Sequence, residues 1–253
     1  MARNLVINVD QQQFWNEVKG DFWVTLKPRI DLLLSPFGSA ALNALSAAPD
    51  ERILDVGCGT GGTSAELANL VGPGGEVQGI DLSRPMLEKA RAEAAGSSPG
   101  VLSFEEGDAE VQEFVPNYFA AVFSRFGVMF FADPYATFKR LRSSLVEAGR
   151  LTFLCWQEAS RNPWMSTAGA AVRRYFPVDK ADDDNNHEPG PFAFADPDYV
   201  RDILVTSGYT DIEIAPVRAT LHVASDLDDA IWFQSRVGPL ARVLQELAGE
   251  ALV

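Results

Sequence analysis

The run Ile53-Leu54-Asp55-Val56-Gly57-Cys58-Gly59-Thr60-Gly61-Gly62 constrains the fold more than any other stretch of the chain. A short apolar strand ends beside an acid, turns on glycines and enters a helical pattern, so the backbone there is suited to close approach by a ligand and to positive φ. From Glu51 onward, short apolar runs alternate with helical stretches, which predicts an α/β fold with a doubly wound, mostly parallel sheet covered by helices on both faces. The expected strands are residues 52–56, 76–80, 101–105, 120–124 and 150–156, each an apolar run bounded by Gly, Pro, Asp or Asn. Residues 63–70, 83–95 and 135–145 have helical spacing, and Ser83 is the expected cap ahead of Pro85.

The flanking segments read as additions to this unit. Residues 1–50, with Trp15, Trp23 and the run Leu32-Leu33-Leu34, are expected to form helices capping one end of the sheet. Residues 51–224 form the binding domain, interrupted at 157–195 by an insertion long enough to act as a lid. That insertion contains Asn162-Pro163-Trp164, a short helix over residues 166–175 and the acidic, solvated loop Asp182-Asp183-Asp184. A helix over 197–207 leads into residues 210–223, where Pro216 points to an edge strand or a bulge. Ile212 and Ile214 give way there to Val217, Ala219, Leu221 and Val223. Residues 225–253 read as helices packed on the same domain.

Of the 253 residues, 47% are hydrophobic and 22% charged, the balance of an ordinary globular protein. The formal net charge of -14 repels phosphate backbones and anionic membrane surfaces, so neither nucleic acid nor membrane is an expected partner. Leu5-Val6-Ile7 is too brief for a signal-peptide core or a span, which makes the expected location cytoplasmic. Cys58 and Cys155 each sit at the end of an expected interior strand and read as reduced, small side chains. His222 falls on the polar phase of the expected edge strand, and His187, in the insertion, is a weak candidate for a catalytic base. Neither has metal-ligand spacing to another His or Cys, so no metal site is expected.

Chemistry concentrates at the strand ends. Gly57, Gly59 and Gly62 satisfy a dinucleotide fingerprint, a weak signal when taken alone. Asp55 lies beside the position where a pyrophosphate would sit and would repel it, whereas the same carboxylate suits a ligand bearing an ammonium and no phosphate. Asp81, at the end of the second strand, is placed to accept from both ribose hydroxyls. Asp108, after the third, is placed to accept from an adenine amino group. An ammonium site, a ribose site and an adenine site together fit S-adenosylmethionine.

The runs Leu54-Asp55-Val56-Gly57-Cys58-Gly59-Thr60-Gly61, Ile80-Asp81-Leu82-Ser83 with Met86-Leu87, and Gly107-Asp108-Ala109 resemble the first three motifs of class I S-adenosylmethionine-dependent methyltransferases in order and spacing. The resemblance covers roughly residues 51–223 and implies a Rossmann-like fold. The segments Ser124 to Pro134, Cys155-Trp156, Asn162-Pro163-Trp164 and Gly190-Pro191-Phe192 are similar to a bacterial small-molecule subgroup. By resemblance, Asp55, Gly57, Cys58, Gly59 and Gly61 hold the methionine half and Asp81 the ribose. Leu82 and Met86 flank the adenine, Asp108 and the Ala109 amide bind its edge, and Ser124, Arg125 and Phe126 close the amino-acid end. The family's sheet usually ends in a hairpin with an antiparallel last strand. Here no second strand is evident after Val223, so either the sheet is shortened or Pro216 divides residues 210–223 into two strands.

The acceptor side is less determined. Trp156 and Phe126 follow expected strands at the ligand-binding edge and, with Trp15 and Trp23 from the cap, are the candidates for the methyl-acceptor wall, while Phe130 and Phe131 read mainly as packing. Arg125 either pairs with Asp133 or meets an anionic acceptor. The reaction expected is in-line transfer of the methyl group to an N, O or C atom of a small, largely apolar or aromatic metabolite, with alignment supplied by the protein. Two other readings stand beside it: an NAD-dependent oxidoreductase, which Asp55 opposes, and a protein that binds S-adenosylmethionine without transferring its methyl.

Overall fold

The computed structural model describes residues 6–95, 100–175, 187–238, 240–241 and 244. One sheet of five parallel strands forms its centre: β1 (Arg52–Val56), β2 (Glu76–Asp81), β3 (Leu102–Glu106), β4 (Phe119–Arg125) and β5 (Leu145–Leu154). Their spatial order is β3-β2-β1-β4-β5, so the winding reverses between β1 and β4 and leaves a crevice beyond their carboxyl ends. Asp55 lies in register with Gly79 on one side and Phe123 on the other.

Both faces of the sheet are covered, which is why its strands read as near-continuous apolar runs. Ile53, Ala121 and Phe123 pack with Leu67 and Val71, while Leu54, Val56 and Val122 pack on the opposite side with Ile30, Leu33 and Leu34. After α1 (Val9–Gln13) and a π-helical turn, α2 (Gly20–Leu45) supplies Leu26, Ile30, Leu33, Phe37, Ala41 and Leu45 at helical intervals along its buried stripe. Pro28 and Pro36 both lie on its exposed side, where a carbonyl deprived of its amide partner can be hydrated. The run Leu32-Leu33-Leu34 divides accordingly, with Leu32 exposed and its two successors buried.

The remaining helices are α3 (Gly62–Val71), α4 (Arg84–Ala94), α5 (Pro134–Ser144), α6 (Pro163–Arg173), α7 (Pro197–Thr206) and α8 (Leu227–Gln234). Asp133, Asp196 and Asp226 cap α5, α7 and α8 by accepting from first-turn amides. Ser83 occupies the cap position of α4 but does not cap it, because its hydroxyl donates to the Trp15 carbonyl. Asn16 Oδ1 accepts from Arg84 N in its place, so the N-terminal segment starts this helix from outside. Arg29 on α2 holds α8 through a two-pronged contact with Asp229 and lies over the Phe233 ring. Among the described residues, no helix is long and apolar enough to cross a membrane.

Two expectations are corrected. β5 is an edge strand, so Cys155 does not sit at the end of an interior one; its burial comes from packing of the later chain, whose Phe194 carbonyl accepts from the thiol. Residues 210–223 form no strand: among the described residues no backbone–backbone hydrogen bond joins them to the sheet. The apolar alternation is real, since Val217, Ala219, Leu221 and Val223 are half-buried and Arg218, Thr220 and His222 are exposed. Alternation fixes which face is covered, but a ladder also needs paired backbone groups, and Pro216 has no amide to give. The loop Asp182-Asp183-Asp184 lies outside the described residues.

Hydrogen exchange tests this shortened sheet. Amides of residues 217–223 are expected to exchange at rates typical of loops, while those of residues 121–124 in β4 are strongly protected. Protection of alternate amides between residues 217 and 223 at the level of β4 would reveal a ladder and contradict the assignment.

Candidate functional site

The turns leaving β1 and β4 meet backbone to backbone. A β-carbon on Gly57, whose φ is +67°, would stand 2.8 Å from the Cα of Gly127, and one on Gly127 would stand 2.8 Å from the Val56 carbonyl oxygen. Side chains are excluded from both positions by this crossing. The Gly57 and Cys58 amides donate to the Ile80 carbonyl, which fastens the first turn to β2 as well.

Asp55 sits wholly buried beneath the crossing. Its Oδ2 accepts from Ser64 Oγ at 2.6 Å and Thr63 Oγ1 at 3.3 Å, both in the first turn of α3, whereas Oδ1 is shielded from solvent with no partner. Burial pushes its carboxyl up to about 6, against the pull of the Ser64 bond and the Arg125 charge. Asp81 braces the neighbouring turns: Oδ2 accepts from Gly59 N at 2.7 Å and Oδ1 from Ser83 N at 2.8 Å. Burial also raises the Asp81 carboxyl, opposed by those amides. The Cys58 thiol is driven well up by burial and by the charges of Asp81 and Asp55, the reverse of what a thiolate nucleophile needs.

The third acid is engaged by the N-terminal segment. Asp108 Oδ2 accepts from Ile7 N at 3.1 Å and Asn8 N at 3.3 Å, and Oδ1 accepts from Glu110 N at 2.9 Å. Asn8 Nδ2 donates to Glu110 Oε1 and to the Phe130 carbonyl, and buried Glu110 accepts from Ala132 N and Asp133 N. Farther along, Asn16 Nδ2 donates to the Leu82 carbonyl. Residues 7–16 therefore lie across the ends of β2, β3 and β4. Ala109 is buried beside Asp108, and Met86 is buried next to Gly59.

Arg125 does not pair with Asp133, which caps α5. Its Nη2 lies 3.4 Å from Asp31 Oδ1 of α2, and Asp31 also accepts from Lys27. Ser124 is buried, its Oγ accepting from Gly127 N. Phe126 carries a φ of +62°, a conformation bulky residues rarely adopt. Its ring stacks on Trp156 at 4.1 Å and 9°, and Phe37 meets both edge-on.

The four aromatics expected on the acceptor side fall in two groups. Phe126 and Trp156 belong to the cluster with Phe37 and Trp164, whereas Trp15 and Trp23 pack with each other, Trp15 also contacting Phe130. The Trp15 carbonyl meets Ser83, which puts that pair beside the start of α4. Phe131 is core, while Phe130 is half-buried against Trp15. His187 stacks on Tyr199 at 3.6 Å, with Nδ1 3.3 Å from the Ala193 carbonyl, and none of these contacts includes a residue of the glycine turn. His222 is exposed. Among the described residues, no group of three or more His, Cys, Asp or Glu side chains is placed to hold a metal ion.

Several site residues escape a reading by motif. Gly127 is detectable as a glycine following a strand that must pass beside the first turn, but its need emerges only from strand order. Asn8, Asn16, Asp31 and Phe37 come from the N-terminal segment, whose docking leaves no local signal. Glu110 stands two residues beyond Asp108 and reads as a surface acid until its three donors are seen.

Comparison with known proteins agrees with this architecture. Residues 53–149 match a family described as a methyltransferase domain. The chain is 33% identical over 119 residues to aklanonic acid methyltransferase DauC of Streptomyces sp. strain C5, covering 47% of this chain and 54% of that one. It is 34% identical over 116 residues to nocamycin O-methyltransferase of Saccharothrix syringae, covering 46% and 41%. The chain thus spans about half the length of the curated relatives it matches. A solved S-adenosylmethionine-dependent methyltransferase from Aquifex aeolicus superposes with a TM-score of 0.51 at 18% identity, over 71% of this chain and 81% of that one, which shows a shared fold. With its doubly wound sheet, its acids at three successive strand ends and a methyltransferase-domain match over residues 53–149, the chain is similar to class I S-adenosylmethionine-dependent methyltransferases.

Proposed function

We propose that the chain transfers the methyl group of S-adenosylmethionine to a small, largely apolar or aromatic metabolite. The observation that carries the cofactor half is Asp55 Oδ1, a buried carboxylate oxygen without a partner at the sheet's switch point. An unpaired buried acceptor is costly unless a donor arrives, and an ammonium is the donor that a carboxylate there favours most. The first-turn amides of α3 and the Arg125 guanidinium suit the adjoining carboxylate of an amino acid.

The other two acids have acceptor capacity to match. An ionised carboxyl group offers about four lone-pair positions. Asp81 commits two of them to Gly59 N and Ser83 N, leaving two for a pair of ribose hydroxyls. Asp108 commits three, leaving one for an adenine amino group, with the Ala109 amide beside it. Leu82 and Met86 flank the base in this reading, and Gly57, Cys58, Gly59 and Gly61 form the cradle. Ser124 maintains the second turn while Phe126 faces the acceptor.

When bound, S-adenosylmethionine supplies the activated methyl on its sulfonium. The chain's own contribution is alignment and exclusion of water, which in well-aligned systems is worth effective molarities on the order of 10⁵ to 10⁸ M. Phe126 and Trp156 give the acceptor a rigid apolar wall, Trp15 and Trp23 close the adenine end from the π-helical turn and α2, and residues 157–195 act as a lid. A small acceptor is favoured by the net charge of -14, which disfavours polyanions, and, as analogy alone, by relatives named for aklanonic acid and nocamycin. No obligatory base is required, and His187 has no part in this assignment.

Two outcomes follow. The folded-state carboxyl of Asp55 titrates near 6, above its ordinary value of 3.8, so the folded chain holds this proton more tightly than the unfolded one. Its contribution to stability is accordingly full below pH 3.8 and lost as pH rises through about 6. An ammonium needs the ionised form, so affinity for S-adenosylmethionine should increase roughly tenfold from pH 5 to pH 7.5 by calorimetry. Asp55→Asn should bind weakly with a flat profile; an Asp55→Asn profile as steep as wild type would remove Asp55 from the site. Separately, Trp156→Ala should slow labelled methyl transfer to a panel of aromatic hydroxy and keto compounds at least about tenfold, while cofactor affinity stays within about threefold. Equal losses would place Trp156 in the cofactor shell, and unimpaired turnover would remove it from the acceptor wall.

A further inference from the structure

Among the described residues, two buried side-chain polar atoms lack a hydrogen-bond partner: Asp55 Oδ1 and Trp164 Nε1. The first has its donor in the reading above. The second has none, and buried polar groups are so regularly paired that a lone one calls for an explanation. A phenylalanine would keep an aromatic ring there without shielding an unmet N–H from water.

The indole is held on a fixed support. Trp164 lies in the first turn of α6, directly after Pro163. Gln234 Nε2 of α8 donates to its carbonyl, and Asn162 Nδ2 anchors the turn before it to the carbonyls of Gln157 and Glu158. The ring centroid is 5.6 Å from that of Trp156, with the planes inclined at 59°. Trp156 in turn stacks on Phe126, the strained residue at the end of β4, so Trp164 extends the wall that begins beside the crevice. Among the described residues, none of its hydrogen-bond or ring contacts involves a charged side chain.

We propose that Trp164 is a specificity residue whose indole N–H is kept for a lone-pair oxygen of the methyl acceptor, which is then an aromatic or polycyclic compound bearing a carbonyl, carboxyl or phenolic oxygen. This rests on the methyl-transfer reading and deepens it. An indole nitrogen donates and does not accept, so an ammonium at this position is refused and a bare hydrocarbon leaves the N–H unmet. The surrounding rings of Trp156, Phe126 and Phe37 supply apolar contact without discriminating between oxygenated and deoxygenated skeletons, which leaves that choice to Trp164.

The test uses the full chain saturated with S-adenosylhomocysteine and two neutral probes of one skeleton, 9-fluorenone and fluorene, which differ by a single carbonyl oxygen. Wild type should bind fluorenone about tenfold more tightly than fluorene. Trp164→Phe, which retains an aromatic ring and removes the donor, should bring that ratio close to unity while fluorene affinity changes less than about twofold. Titration with S-adenosylhomocysteine on the same preparations verifies that the variant is folded and that the cofactor reading stands. Failure of wild type to bind S-adenosylhomocysteine would defeat the methyl-transfer reading itself. Normal cofactor binding with an unchanged fluorenone preference in Trp164→Phe, with no preference in wild type, or with neither probe bound, would overturn the assignment of Trp164 alone.

Discussion

The backbone crossing of Gly57 and Gly127 is the constraint on which the rest of the site depends. Parallel strands at a switch point diverge beyond their carboxyl ends, and here the two departing turns approach until a β-carbon on either would lie under 3 Å from the other. With the crossing closed from above, Asp55 is buried beneath it and Gly59 is brought within 2.7 Å of Asp81. The residue before Gly127 bears the geometric cost. Phe126 is held at a φ of +62° by the hydrogen bond its N–H donates to the Leu154 carbonyl and by the Trp156 stack. A left-handed conformation costs roughly 1–2 kcal/mol for a residue with a β-carbon, and an aromatic pair returns about 0.5–1.5 kcal/mol beyond its burial. The strain and the stack are comparable, so the aromatic wall and the crossing support each other.

Electrostatics at this edge runs in one direction. Asp55, Asp81 and Asp108 stand at the ends of three adjacent strands, and burial raises the first two carboxyls, that of Asp55 in spite of the Arg125 charge. Such an edge is hostile to a pyrophosphate and receptive to an ammonium and to neutral hydroxyl or amino donors. The glycine spacing that would also suit a dinucleotide is therefore overruled by one carboxylate. Arg125 is only partly available to offset it, because Asp31 of α2 already lies beside its guanidinium.

Much of this was legible in the chain. The five strands and α3 to α5 announce themselves because apolar runs, glycine turns and Asp-Pro or Ser-x-Pro starts are local signals. Asp55, Asp81 and Asp108 could be placed at strand ends for the same reason. The partners of these acids were not legible: the amides of Ile7 and Asn8 reach Asp108 across about a hundred residues of sequence, and nothing in a short window encodes that docking. Residues 210–223 show the opposite failure, since their alternation correctly marks a half-buried face yet says nothing about whether a backbone ladder forms. Ser83 illustrates it on a smaller scale, with the right position for a cap and a hydroxyl drawn away by Trp15.

The central claim is that the crevice between β1 and β4 recognises an ammonium through Asp55 and has no place for phosphate. Side-by-side calorimetry at pH 7.5 with S-adenosylhomocysteine, its analogue lacking only the α-amino group, and NAD addresses it most directly. S-adenosylhomocysteine should bind at least about tenfold more tightly than the deaminated analogue, as a charge-assisted hydrogen bond requires, and NAD should give no measurable heat of binding. Equal affinity for the first two ligands, or tighter binding of NAD than of either, would contradict the account.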